Sequence, residues 1–173
     1  MTPRRLGLLI AALALAADQI SKNLLLYGFG FIAMRPFERV EVLPFFDLVM
    51  VWNRGVSYGL LQQEGLLGTL ILTLFSLGAV AALSWWLFKA EHRLLAAGLG
   101  LLIGGALGNV IDRILYGAVA DFFHFYAWGR GWYVFNVADA AITIGVVVLL
   151  ADAVLKPDAK SEPQRSREPV SRK

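Results

Sequence analysis

Apolar residues gather in four blocks along this chain, and each block is long enough to cross a bilayer as a helix. Their limits predict spans over about 6–27, 66–88, 94–117 and 135–155, each near the ~20 residues that a transmembrane helix needs. The first block opens with an unbroken run from Leu6 to Ala17 behind Arg4-Arg5. Ala14-Leu15-Ala16 resembles the cleavage site of a secretory signal peptide. The pattern resumes with Leu24-Leu25-Leu26-Tyr27 after Asp18, Lys22 and Asn23, which favours a retained helix. The second block carries no charge and ends at Trp85-Trp86, an interfacial signal. Residues 94–117 and 135–155 complete the set, joined to their neighbours by the polar loop Lys89-Ala90-Glu91-His92-Arg93 and by residues 118–134.

Between the first two blocks, residues 28–64 change period. Pro36 and Pro44 interrupt helices, and Arg39-Val40-Glu41-Val42 alternates like a strand. Leu48-Val49-Met50-Val51-Trp52 is rich in β-formers and runs into the turn signal Asn53-Arg54-Gly55. A small sheet on the membrane surface is expected there. Residues 118–134 read as a loop, with Trp128-Gly129-Arg130-Gly131-Trp132-Tyr133 as a turn among interfacial aromatics. The polar, Pro-containing 156–173 stretch reads as a disordered tail. The expectation is a mainly α membrane protein: one domain over 1–155, a four-transmembrane-helix bundle with a small β element.

Composition agrees. Hydrophobic residues make up 58% of the chain and charged ones 17%, against roughly 45–50% and 25% in soluble domains. There is no Cys, which excludes disulfides, thiolate nucleophiles and Cys-ligated metal centres. The net charge of +3 does not mark a nucleic-acid binder, because the basic residues form no stripe. They mark orientation. Ten Lys and Arg lie at the N-terminus, in the 89–93 loop and in the tail, and four lie in 28–64 and 118–134. That bias puts both termini in the cytoplasm and the other segments outside.

Polar residues then stand out by depth. At a helical rise of ~1.5 Å per residue, Asp18 lies ~18 Å beyond Leu6, Asp112 ~27 Å beyond Leu94 and Asp139 ~6 Å past Phe135. Asp121 follows the third span directly. All four carboxylates converge at one side, as a shared site requires. Gly100, Gly104 and Gly108 repeat at i+4, a small-residue seam for a neighbouring helix. Gly105, Asn109 and Asp112 or Arg113 make a polar face beside it, and Asn136, Asp139 and Thr143 make another on the fourth helix.

Charge partners divide the acids by role. Asp18 has Lys22 at i+4, and Asp112 has Arg113 beside it; a nearby cation keeps a carboxylate ionised and suited to support. Asp121 and Asp139 have no cation at helical spacing. Brought together near lipid they would share a proton, as an aspartic protease requires. Zinc is disfavoured, since His92 and His124 are the only histidines and fall on opposite sides of the membrane. A proton channel would spread its acids through the bilayer, whereas these cluster at one face. A purely structural subunit would leave the polar stripes unexplained.

Five motifs in order resemble those of the bacterial lipoprotein signal peptidases (signal peptidase II). Asp18-Gln19-Ile20-Ser21-Lys22 is similar to D-Q-x-x-K, Asn53-Arg54-Gly55 to N-x-G, and Gly104–Arg113 to G-G-x-x-G-N-x-x-D-R. Val119–Phe122 resembles V-x-D-F, and Phe135–Asp139 resembles F-N-x-A-D. Ser57-Tyr58 departs from the Phe expected in many members. The resemblance implies four transmembrane helices with an extracytoplasmic β-cradle in the bacterial inner membrane. It also implies an aspartic endopeptidase that cuts prolipoproteins before a diacylglyceryl-modified Cys, needs no metal or other cofactor, and is blocked by globomycin. Its catalytic pair maps onto Asp121 and Asp139. Its supporting and substrate-binding residues map onto Asp18, Lys22, Asn53, Gly55, Asn109, Asp112, Arg113 and Asn136.

Overall fold

A computed structural model describes residues 1–35, 38–55, 66–127 and 130–155. The tail, Ser57-Tyr58 and the Trp128-Gly129 tip of the predicted turn lie outside the described residues. Four long apolar helices are present: α1 (Pro3–Asn23), α2 (Leu66–Phe88), α3 (Arg93–Tyr116) and α4 (Val137–Leu155). Thr2 starts α1, its hydroxyl accepting from the Arg5 amide at 3.4 Å with proline in the first turn. A widened π-turn, Leu24–Gly28, continues α1. Gly117 ends α3 in the left-handed region at φ 70°, and its N–H returns to the Arg113 carbonyl at 3.0 Å.

Helix α3 is the hub. Its most apolar window is 67% buried, against 11% for α2. Glycines make this possible: a Cβ on Gly104 would run into the Ala11 carbonyl of α1, and one on Gly105 into the Ala138 carbonyl of α4. Leu87 of α2 and Leu95, Leu99 and Ile103 of α3 pack with Ala11 in the main apolar cluster. At the helix ends away from the sheet, His92 caps α3 and its Nδ1 lies 3.1 Å from Asp152. Arg4 stacks on Phe88 and Lys89 on Trp85 at the same end.

The sheet has four antiparallel strands in the order β1 (Arg39–Leu43), β2 (Phe46–Asn53), β3 (Val119–Ala127) and β4 (Arg130–Phe135). The first two fall where alternation predicts strands. The other two replace the predicted loop, so Asp121 sits on a strand between α3 and α4. Pairing of β2 with β3 sets Val51 opposite Asp121 and Asn53 opposite Val119. Pairing of β3 with β4 sets Phe123 opposite Phe135. Phe122, fully buried, joins Leu25 and Phe31 in a second apolar cluster that fastens the sheet to the end of α1.

Candidate active site

Where the sheet meets the helix ends, α1, α3, α4, β2 and β3 each deliver polar side chains to one place. Two linked clusters result, with different partners.

The first is built on Lys22, which is 2% exposed. Its ammonium lies 2.8 Å from Asp18 Oδ2, 2.9 Å from Asp112 Oδ2 and 3.3 Å from Asn109 Oδ1. The remaining acceptors are also used. Asp18 Oδ1 takes the Ala138 amide at 2.9 Å, one of the N–H groups that the first turn of α4 leaves without a helical partner. Asp112 Oδ2 takes the Ala120 amide at 3.0 Å, and its Oδ1 takes Gln19 Nε2 at 3.3 Å. Three helices and strand β3 are tied through one ammonium. The expected i,i+4 pair of Asp18 and Lys22 is present. The expected pairing of Asp112 with Arg113 is not: Lys22 is the cation that meets Asp112, because residues adjacent in a helix point away from each other.

Gly108, read from sequence as part of a packing seam, does more than pack. A Cβ there would collide with the Asp18 carboxylate, so its bareness makes room for this cluster. Gln19 also belongs here, reaching Asp18 at 3.1 Å and the Gly108 carbonyl at 3.3 Å. Its place beside Asp18 in the first motif was the available signal.

The second cluster contains Asp121 and Asp139, and amides hold it. Asn136 Nδ2 donates to Asp121 Oδ1 at 2.6 Å, and Asn53 Nδ2 donates to Asp121 Oδ2 at 3.0 Å. Asn109 Nδ2 donates to Asp139 Oδ1 at 2.9 Å. Asn136 Nδ2 also approaches Asn109 Oδ1 at 3.2 Å, so two asparagines bridge the carboxyls. Asn136 caps α4: its Oδ1 accepts the Asp139 amide at 2.9 Å, while its own amide faces Asp139 Oδ2 at 3.4 Å. That reciprocal exchange is a capping box, and it fixes Asp139 in the first turn. Gly55 supports Asn53, its N–H donating to Asn53 Oδ1 at 3.2 Å. Thr143 lends its hydroxyl to the Asp139 carbonyl at 2.8 Å, ordinary back-bonding along a helix.

Among the described residues no cation hydrogen-bonds to or ion-pairs with Asp121 or Asp139. Arg113 donates instead to the Asn109 carbonyl at 3.4 Å, with the charges of Asp139, Asp121 and Asp112 around it. Burial pushes the Asp121 carboxyl up to about 7 and the charge on Asp139 adds to this, against the hydrogen bonds from Asn53 and Asn136 and the charge of Lys22. The charge on Asp139 thus makes the ionised form of Asp121 costlier than burial alone would.

Two cavities open nearby, the first on Asp139 and the second on Arg113. One of about 360 Å³ is lined by Tyr133, Phe135, Asp139, Ala140, Thr143 and Ile144. The other, about 450 Å³, lies between α2 and α3 and is bordered by Arg54, Thr69, Arg113 and Tyr116. His124 is not part of either cluster; it faces Asp47 across the β2–β3 pairing, with 3.8 Å between Nδ1 and Oδ2.

Comparison with known proteins fits this architecture to a family. A family model described as signal peptidase (SPase) II matches residues 10–155. The chain is 51% identical to a lipoprotein signal peptidase of Methylobacterium radiotolerans over 162 residues, covering 94% of this chain and 92% of that protein. It is 54% identical to one of Methylorubrum extorquens over 154 residues, covering 89% and 88%. In three dimensions it is similar to a bacterial membrane enzyme solved by the in meso method at 2.3 Å, with a TM-score of 0.76, 27% identity and coverage of 91% and 93%. A second such structure, at 1.9 Å, gives 0.72, 29%, 87% and 92%. Helices, sheet and polar clusters therefore lie within a stretch that the family describes almost end to end: the chain belongs to the signal peptidase II family of aspartic-type, membrane-bound proteases.

Proposed function

We propose that Asp121 and Asp139 are the catalytic carboxyls with which this enzyme cuts prolipoproteins before a diacylglyceryl-modified Cys. The observation that carries this reading is their shared amide bridge, with no bonded cation among the described residues, beside a cluster in which the other two carboxylates both bind Lys22. Asp121, the deeper of the two with its carboxyl at about 7, starts as the proton donor. Asp139 supplies the carboxylate, in the first turn of α4 where the helix dipole favours negative charge.

The carboxylate takes a proton from water, and the resulting hydroxide attacks the scissile carbonyl carbon. Asp121 gives its proton to the carbonyl oxygen, leaving a neutral tetrahedral diol. On collapse, the C–N bond breaks as the amine takes the proton held on Asp139 and a diol hydroxyl returns one to Asp121. The pair is then restored. Asn53, Asn109 and Asn136 hold the carboxyls in place, Gly55 steadies Asn53, and Asp18, Lys22 and Asp112 keep the helix ends together. Arg113, between the pair and the 450 Å³ cavity, is suited to hold substrate carbonyls.

The cavity walled by Phe135, Ala140 and Ile144 suits the lipid chains of the substrate, whose burial is worth ~0.8 kcal/mol per CH₂. Globomycin would compete for the same space. The Lys/Arg bias supports both termini in the cytoplasm, 156–173 as a cytoplasmic tail and the site at the outer face. The four apolar helices suit the inner membrane, and the family match over 10–155 supports residues 1–155 as one peptidase domain. Nucleic acid is not expected as a partner, because the basic residues form no stripe along the sequence. Purified protein in detergent is expected to cleave a lipidated precursor and to leave the same precursor untouched without its diacylglyceryl group. Equal rates on the two would remove lipid recognition from the reading.

A further inference from the structure

Tyr133 is outside every motif named above, yet its side chain touches both halves of the site. Strand β4 carries it two residues before Phe135, and both side chains line the same cavity. Its hydroxyl lies 3.1 Å from Asn53 Nδ2, the nitrogen that donates to Asp121 Oδ2 at 3.0 Å. The amide nitrogen has two protons and two acceptors here, Asp121 and Tyr133, while Gly55 N–H holds the amide oxygen at 3.2 Å. Asn53 is thus fixed at three points, and Tyr133 supplies one of them. The ring of Tyr133 meanwhile forms a wall of the 360 Å³ cavity that opens on Asp139. The residue is 41% exposed, so it is not needed to fill the core.

We infer that Tyr133 is a positioning residue: from the wall of the apolar cavity, its hydroxyl holds the Asn53 amide aimed at the Asp121 carboxyl. The inference rests on the proposed roles of Asp121 and Asp139.

Its test is a kinetic comparison of Tyr133→Phe, Asn53→Ala and the double variant on a lipidated precursor, each in detergent and each checked by thermal melting. Tyr133→Phe keeps the cavity wall and removes the hydroxyl. It should lower kcat about three- to tenfold, the scale of one hydrogen bond, with KM within twofold of the parent. Because Asn53 donates less firmly, the alkaline limb of the kcat profile should move to higher pH. In the Asn53→Ala background the same change should have no further effect on kcat or on that limb. A Tyr133→Ala variant should add a rise in KM, since it also removes the wall. Tyr133→Phe with unchanged kcat and unchanged limb would overturn the inference, as would an equal loss in the presence and absence of Asn53. A folded Asp121→Asn protein run alongside separates the failures: if it turns over, the catalytic pair itself is wrongly assigned; if it is dead while Tyr133→Phe is normal, only the role of Tyr133 falls.

Discussion

Asp18 and Asp112 meet around a lysine, whereas Asp121 and Asp139, a few side chains away, meet around asparagines. Both pairs are held at the same end of the bundle, and Asn109 touches both, accepting from Lys22 at 3.3 Å and donating to Asp139 at 2.9 Å. The difference lies in what compensates the charge. An ammonium bonded to two carboxylates ties α1 and α3 to one point, and groups so bound serve as a clamp. Amides orient a carboxyl without neutralising it, so its proton remains free to move. Partner chemistry, rather than burial, separates Asp121 from Asp18 and Asp112, since all three are within 1% of full burial, while Asp139 is half-buried.

The contrast breaks most sharply at the amide-held pair. Asp121→Asn and Asp139→Asn should each lower turnover of a lipidated precursor by at least ~10³-fold while leaving the fold intact, and the double variant should lose hardly more. Activity within tenfold of the parent in either folded single variant would end the assignment. At the clamp the effect should be on folding. Lys22→Met leaves two buried carboxylates without their cation, a loss of ~3–5 kcal/mol, measurable as a lower unfolding midpoint in detergent. Replacing Asp18 and Asp112 by Asn in the same protein should recover part of that loss, since no unpaired charge would then remain.

Asn109→Ala tests the junction. It removes an acceptor from Lys22 and a donor from Asp139 together, so stability and kcat should both fall, stability by ~1–3 kcal/mol. A fall in only one would show the clusters to be less connected than their geometry suggests. The smallest effect is a pH dependence of melting. The folded Asp121 carboxyl titrates at about 7, above its ordinary 3.8. The folded state therefore binds the proton more tightly, and this group's contribution to stability is greatest below pH ~4 and declines as pH rises to ~7. Asp121→Asn removes that decline, so its advantage in melting temperature over the parent should be larger at pH 8 than at pH 4.

The four helices were legible because lipid demands long apolar blocks with few charges, a coarse signal that local packing cannot hide. Strands β1 and β2 were legible from the alternation at Arg39–Val42 and the β-formers at Leu48–Trp52. Strands β3 and β4 were not. Phe122-Phe123-His124-Phe125-Tyr126 is aromatic at almost every position, with Phe122 buried against Leu25 and Phe31, and Phe123 and Phe125 packed against the cross-strand Phe46 and Phe135, which erases the period of two. The aromatic run itself was the usable clue. Of the candidate site, depth along each helix brought the four acids to one level, but partners across helices cannot be read from one helix at a time. The meeting of Lys22 with Asp112 depends on how closely α1 approaches α3, which Gly104 and Gly108 set. Tyr133 read in sequence only as an interfacial aromatic, since its place in the site depends on a bond to a strand 80 positions earlier.

The spacing of Asp18 and Lys22 also bears on how the protein is made. Helix α1 leaves the ribosome and enters the bilayer before α2 and α3 have been synthesised, so Asp112 does not yet exist when Lys22 must be inserted. Four residues apart on one helix, Asp18 and Lys22 can neutralise each other from the start. The translocation machinery then handles a segment with no net buried charge, and Asp112 joins the lysine only when α3 docks.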